Sequence, residues 1–325
     1  MCQLTPPQNS NQAGSTGVKP AFSCSRLNST TFILKENDKW GESPLIYAKV
    51  YKNDIVLIDS GCGGSLNTPD CDVTLRVFLE TVPVPENGGD ALNPSGAKRY
   101  TIICTHCHFD HIGGLSEFKS NSIWASSLGK PYMTDPSKLS VASLSCYVGM
   151  KLPEFTVTQW ASDSVHVTAP GVTGYGEHKD LGLVIYQTPG HMPDQVAIWD
   201  PEERVLYVGD TLYETAPILF PEGSSFFAYK DTISKLRILV KGWNAEAGAA
   251  GRVKLAAGHI TYDVDADGLL EAAHLMVNRV LASEIEAIEM TDEVPYFGGQ
   301  PAVKYESGIG GLHFMGLRKS FEHLC

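Results

Sequence analysis

The chain has 325 residues, 43% hydrophobic and 19% charged, and a formal net charge of −12 from 25 basic and 37 acidic side chains. This is the composition of a soluble globular protein with a substantial core. The acidic balance, with no basic run of five residues, argues against a nucleic-acid partner, and no apolar run reaches the roughly 18 to 20 residues of a membrane span.

Residues 1 to 20, "MCQLTPPQNSNQAGSTGVKP", are polar and rich in Gly and Pro and read as a poorly packed arm. They lack the basic and apolar blocks of a secretory signal. Eight scattered cysteines in a chain large enough to fold without staples read as reduced thiols, so a cytoplasmic protein is expected. No linker divides residues 21 to 325, which are expected to form one domain. "LIYAKVY" from Leu45 and "DIVLIDSG" from Asp54, parted by Lys52 and Asn53, read as a hairpin. Residues 61–98, rich in Gly and Pro, read as a long loop. "RYTIICTH" from Arg99 is a continuous apolar run and predicts a buried strand. "DPSKLSVASLSCYVG" predicts a helix, with Asp135 as its cap and Pro136 in its first turn.

Strands are predicted again at "LGLVIYQTPGH" from Leu181, "QVAIWD" from Gln195, "RVLYVGD" from Arg204 and "VKLAAGH" from Val253. Residues 212–228 read as a second long loop. "YKDTISKLRILVKGW" predicts a helix with Ile233, Leu236 and Val240 on its apolar face. "DADGLLEAAHLMVNRVLASEIEAIEM", residues 265–290, predicts one long amphipathic helix after an acidic cap. Strands alternate with helices throughout, which defines the α/β class.

The block "TIICTHCHFDHIGGL", residues 101–115, holds His106, His108, Asp110 and His111 within six positions. His106 and His108 stand two apart in an extended segment and can face one side. Asp110 and His111 lie beyond a bend and can face a second centre, and Gly113 and Gly114 permit a tight turn. Imidazole and carboxylate in this spacing suit a borderline metal such as zinc. Three later strands end in the same way, with an apolar run, a glycine and then a ligand type: His191 in "TPGH", Asp210 in "VGD" and His259 in "AGH". Cys107, between two of the histidines, is expected to point into the core.

The order "LIDSG", "THCHFDH", "TPGH", "GDT", "AGH" resembles the motif series of the metallo-β-lactamase superfamily, and "YVGDTLYE" with "TPGHMPDQVAIWD" is similar to its fungal members. The resemblance implies a four-layer αββα sandwich with metals at one edge of two facing sheets. It implies that His106, His108 and His191 hold one metal, that Asp110, His111 and His259 hold the other, and that Asp210 bridges them. Asp59 would support the site without binding metal. Two zinc ions per chain are the implied cofactors, with manganese or iron as alternatives.

Tyr213, three residues after Asp210, resembles the active-site tyrosine of acyl-homoserine-lactone lactonases. Asp110 and Tyr213 are the candidate catalytic residues. The loop that carries Tyr213, Ile218, Leu219, Phe220, Phe226 and Phe227 is expected to form an apolar, partly aromatic pocket. The implied activity is metal-assisted hydrolysis of a small cyclic amide or carbamate, such as a benzoxazolinone-type xenobiotic, by a hydroxide held between the metals. A lactonase or thioester hydrolase on the same site is the second reading. From another class comes a mononuclear iron persulfide dioxygenase.

Overall fold

The computed structural model describes residues 18–170, 178–248, 251–291, 294–306, 308 and 311–322. Most of the expected N-terminal arm, residues 1–17, lies outside them. Lys19 is already tied down, its backbone exchanging hydrogen bonds with Asp70 and Asp72.

The first sheet has seven strands in chain order: β1 (Phe22–Arg26), β2 (Thr31–Glu36), β3 (Leu45–Val50), β4 (Asp54–Ile58), β5 (Arg99–Ile103), β6 (Ser122–Ser126) and β7 (Gln159–Ala161). The first four pair antiparallel and β4 to β7 run parallel. The second sheet combines β8 (Val165–Pro170), β9 (His178–Gln187), β10 (Val196–Asp200), β11 (Val205–Tyr207), β13 (Lys254–Ala256) and β14 (Val264–Asp265) in the order β14-β13-β11-β10-β9-β8. The predicted hairpin at Lys52 and Asn53 is present as the β3–β4 pair.

Strand β4 shows why these runs are apolar on every residue. Ile55 and Leu57 face the outer helices, and Val56 and Ile58 face the second sheet. Side chains alternate along a strand, so a strand covered on both faces needs no polar position. Between the sheets, Tyr47, Val56, Ile58 and Ile103 meet Ile185, Ile198, Val205 and Tyr207.

Short helices cover the first sheet: α1 (Leu75–Thr81), α2 (Phe109–Ile112), α3 (Lys130–Met133), α4 (Pro136–Ala142) and α5 (Ser145–Val148). The long helices α6 (Phe226–Glu246) and α7 (Ala266–Leu281) cover the second. This is the expected αββα order of layers. Asp135 caps α4 through the amides of Ser137 and Lys138, and Asp265 caps α7 through that of Gly268. Among the described residues no helix is long and apolar enough to cross a membrane.

Four expectations are corrected. The helix predicted over 265–290 ends at Leu281, where Ser283 adopts φ 56. The amide of Ser283 bonds the carbonyl of Val280, and that of Glu284 bonds Arg279. This pair of bonds closes a helix with a left-handed residue. The chain then enters β15 (Ile288–Glu289), which joins β12 (Pro217–Phe220), β16 (Ala302–Glu306) and β17 (His313–Leu317) in a third, four-stranded sheet. The predicted loop 212–228 therefore contains a strand and the start of α6, and the loop 61–98 contains α1. The helix predicted over 135–149 breaks at Leu144, with φ 63 between α4 and α5.

Candidate active site

The predicted ligands gather at one edge of the two sheets, where β4, β5, β11 and β13 end. Hydrogen bonds join the sheets there, from the Leu45 amide to the Gly258 carbonyl at 2.7 Å and from the Tyr47 hydroxyl to the Ala257 carbonyl at 2.6 Å. His106 follows β5 in a bend with Thr105, His108 is extended, and Asp110 and His111 sit in the single turn of α2. His191 follows β9 and its Pro-Gly turn, Asp210 follows β11, and His259 follows β13.

Gly113 and Gly114 have ordinary helical φ values of −59° and −86°, so no special turn requires them. Gly113 is needed for closeness instead. A Cβ there would lie 2.6 Å from the Cys62 backbone. Gly258 acts likewise, since a Cβ would meet Asp210 Oδ1 at 2.4 Å and His111 Cε1 at 2.7 Å.

Two groups of donor atoms result, each within 4.8 Å of one another: His106, His108, His191 and Asp210, and Asp110, His111 and His259. Nδ1 of His108 lies 3.0 Å from Nε2 of both His106 and His191. Asp210 faces both groups. Its Oδ1 is 3.3 Å from His111 Nε2, and its Oδ2 is 3.8 Å from His106 and His191 and 3.6 Å from His259. Asp110 Oδ2 lies 3.1 Å from His259 Nε2 and 3.4 Å from His111 Nε2.

Surrounding acceptors fix which ring nitrogen faces inward. Nδ1 of His191 donates to the Leu219 carbonyl at 2.7 Å, and Nδ1 of His259 donates to the Glu42 carbonyl at 2.8 Å. Nδ1 of His111 donates to Asp59 Oδ2 at 2.7 Å. The Thr105 hydroxyl donates to the same oxygen at 2.8 Å, so its own oxygen is open to accept from His106 Nδ1 at 3.1 Å. In all four rings Nδ1 is committed as a donor and Nε2 is the atom left to bind. Asp59 thus orients ligands without joining either group, and it does so from a left-handed backbone with φ 65. Strain of that kind concentrates at functional sites.

The donor set fits a metal. Asp210 Oδ1 and His111 Nε2 are buried without a hydrogen-bond partner. Buried polar atoms are otherwise almost always paired, and imidazole nitrogen with carboxylate oxygen is what zinc-type ions take. The two groups also differ electrostatically. Burial, with help from neighbouring rings, pushes His106 and His108 well below the ordinary imidazole range, and burial lowers His191. Burial opposes charge on His111 and His259 too, yet the adjacent carboxylates, Asp210 first, hold both well above it. In return those rings outweigh burial and keep Asp110 and Asp210 below the usual carboxylate range.

Tyr213 lines a cavity of about 270 Å³ beside the cluster, with its ring edge-on to His259. Burial, then the nearby Asp210 carboxylate, raises it well above the ordinary phenol range. The expected aromatic pocket is corrected by the alternation of β12. Ile218, Phe220 and the following Phe226 turn into the core, while Pro217 and Leu219 face the cavity. The remaining walls come from Phe109, Leu144, Ile260, Val294, Tyr296 and Met315.

Sequence reasoning missed Thr105, although it lies inside the histidine block. It also missed Glu42 and Tyr296, which no motif marks. Glu42 is a cavity carboxyl, pushed up to about 7 by burial and by Asp110. Cys104 and Cys107 form a CxxC spacing that the sequence reading passed over. Both are free and buried in the core, neither belongs to either group of donor atoms, and burial pushes their thiols up.

Fold and site together define a metal-dependent hydrolase. Residues 100–277 match the family model of the metallo-beta-lactamase superfamily, and the chain belongs to that superfamily. It is 31% identical over 302 residues to an Aspergillus versicolor protein named "Putative transcription factor avaE", covering 90% of this chain and 83% of that one. It is 31% identical over 134 residues to a hydroxyacylglutathione hydrolase of Methylobacterium nodulans, covering 41% of this chain and 42% of that one. A metallo-beta-lactamase family protein from Thermus thermophilus shares the fold, with a TM-score of 0.54 at 17% identity over 78% of this chain and 81% of that one.

Proposed function

We propose that the enzyme opens a small, neutral cyclic amide or carbamate of the benzoxazolinone type. In this reading His106, His108 and His191 would hold one zinc ion and Asp110, His111 and His259 a second, with the Asp210 carboxylate available to both. The cavity carries the proposal. At about 270 Å³ it sits below the range of roughly 300–1,000 Å³ usual for drug-sized ligands. Its walls are mostly apolar, and no Lys or Arg stands among its described lining residues. A small uncharged ring suits such a space better than an anionic conjugate.

When bound, the metals supply Lewis-acid polarisation of the scissile carbonyl and make water acidic enough to attack near neutral pH. The chain supplies the rest. Asp110, beyond its place among the ligands, offers a carboxylate oxygen for the proton that attacking water loses. The phenol of Tyr213 stays protonated and donates a hydrogen bond where the carbonyl oxygen gains charge. Phe109, Leu144, Ile260 and Met315 line the cavity, where they would exclude bulk water from the bound ring. Six free cysteines among the described residues fit a reducing cytoplasm. The net charge of −12 weighs against carrying over the transcription-factor name of the Aspergillus relative.

Thioester hydrolysis is the second reading, favoured by the name of the Methylobacterium relative. A panel of lactams, cyclic carbamates, lactones and thioesters, incubated with metal-loaded protein and read by mass, separates the two. Ring opening of the lactam or carbamate is expected. Turnover of glutathione thioesters alone would replace the first reading with the second.

A further inference from the structure

Resting on the ring-opening reading, we propose that Glu42 and Tyr296 form a substrate-recognition pair. The Glu42 carboxylate accepts a hydrogen bond from an N–H on the bound ring. The site thereby selects unsubstituted lactams and cyclic carbamates over their N-alkyl counterparts and over lactones.

The loop that carries Glu42 is built to hold it still. One Asp38 side chain collects the amides of Trp40, Gly41 and Glu42 on Oδ1, at 2.8, 2.8 and 3.3 Å, and that of Ser43 on Oδ2 at 2.7 Å. Gly41 and Ser43 take positive φ values of 83° and 50° on either side of Glu42. The Glu42 carbonyl is fastened to the cluster through His259 Nδ1. Its side chain enters the cavity, and the Tyr296 hydroxyl donates to Oε1. The Tyr296 ring in turn packs against Phe109, which packs against Trp40.

The other polar groups of the cavity are already engaged. His108, His191, His259, Asp110 and Asp210 belong to the metal-type cluster, the Tyr213 hydroxyl is the donor assigned to the scissile carbonyl, and Tyr296 donates to Glu42. Among the described lining side chains, Glu42 Oε2 has no hydrogen-bond partner and is the acceptor assigned to a ligand. In a small apolar pocket one placed polar group fixes orientation. A ligand that cannot satisfy it leaves a buried acceptor unpaired, which is a strong basis for rejection. Glu42 and Tyr296 both lie outside residues 100–277, the part matched by the family model. The recognition pair is therefore separate in sequence from the core of the family.

The test compares kcat/KM for benzoxazolinone and its N-methyl derivative in metal-loaded wild type, Glu42→Leu and Tyr296→Phe, with metal content measured alongside. Wild type is expected to prefer the N–H substrate by roughly 10- to 100-fold, the range of a hydrogen bond to a charged group. Glu42→Leu should bring the ratio close to unity, and Tyr296→Phe, which removes only the hydroxyl that steadies Oε1, should lower it partway. Leucine is similar in bulk to glutamate, so a purely steric preference would survive the first variant. That result, or equal rates in wild type, overturns the pair and leaves the ring-opening reading intact. If Glu42→Leu loses metal, Tyr296→Phe decides, and an unchanged ratio there overturns the pair. No turnover of either substrate by metal-loaded wild type overturns the ring-opening reading, and this inference with it.

Discussion

Asp59 offers the sharpest test of how the site is held. Its carboxylate accepts three hydrogen bonds, from the Thr105 amide at 2.7 Å, the Thr105 hydroxyl at 2.8 Å and His111 Nδ1 at 2.7 Å. Asp59→Asn keeps the shape, and Asn tolerates the left-handed backbone at this position. The amide oxygen can keep the Thr105 amide, but the NH2 group must replace Oδ2 and now faces two donors. The Thr105 hydroxyl can rotate away. His111 can avoid the clash only by moving its proton to Nε2, the atom that faces Asp110 and Asp210. The ligand then presents a donor where a lone pair is required. Loss of one charge-assisted hydrogen bond costs about 1.5–3 kcal/mol, and disturbed orientation of a metal-binding histidine lowers metal affinity by roughly 10- to 100-fold. Competition with a chromophoric chelator measures that affinity, and circular dichroism checks that the fold persists. A folded Asn variant that binds zinc as tightly as wild type would refute the tautomer argument.

Three further outcomes are expected. Asp210→Ala removes the carboxylate that faces both donor groups, so metal content should fall and hydrolysis should vanish while the fold stays largely intact; full activity would show that the two groups act independently. Tyr213→Phe should lower kcat by about tenfold to 10²-fold at constant metal content, the range seen for a lost oxyanion donor, whereas an unchanged kcat would make Tyr213 a cavity wall. Lys49→Met should lower the urea midpoint sharply. The Lys49 ammonium lies 2.7 Å from Asp200 Oδ2, with both side chains almost wholly buried, and stranding such a carboxylate costs about 3–5 kcal/mol.

The metal-type cluster was legible because it is dense and its logic is local. Each ligand stands just past a strand whose apolar run marks it as buried, and a strand fixes where its end points. Asp59 was legible only through the resemblance, since the sequence does not show that it reaches Thr105 and His111 some 46 and 52 residues away. The pocket was misread for a definite reason. "PILF" is a four-residue strand too short to announce its alternation, so Phe220 and Leu219 could not be told apart until β17 was seen beside them. The third sheet escaped notice because its strands are two to five residues long and one of them, β12, pairs with β17 across about 96 residues. The C-terminal end of α7 failed for the opposite reason. "SEIEAIEM" has good helix formers, and only the closing bonds at Ser283 and Glu284, together with strand pairing, override that propensity.

This pattern follows from how rigidity is distributed. The ligands at positions 106 to 259 hang from strands packed on both faces, where a shift of one residue would turn a whole apolar face outward. Their placement is therefore bound to the core, and the family match covers all of them. The cavity walls have weaker ties. Glu42 depends on one aspartate and a few backbone amides, and Val294, Tyr296 and Met315 depend on a small sheet at the end of the chain. Residues in those segments can change with little effect on the strands that carry the cluster. Selectivity can thus diverge while the chemistry stays fixed, and a relative that shares the histidine block need not share the substrate. The proposed recognition role of Glu42 and Tyr296 therefore has to be tested at those two residues, because the motifs that identify the superfamily do not carry it.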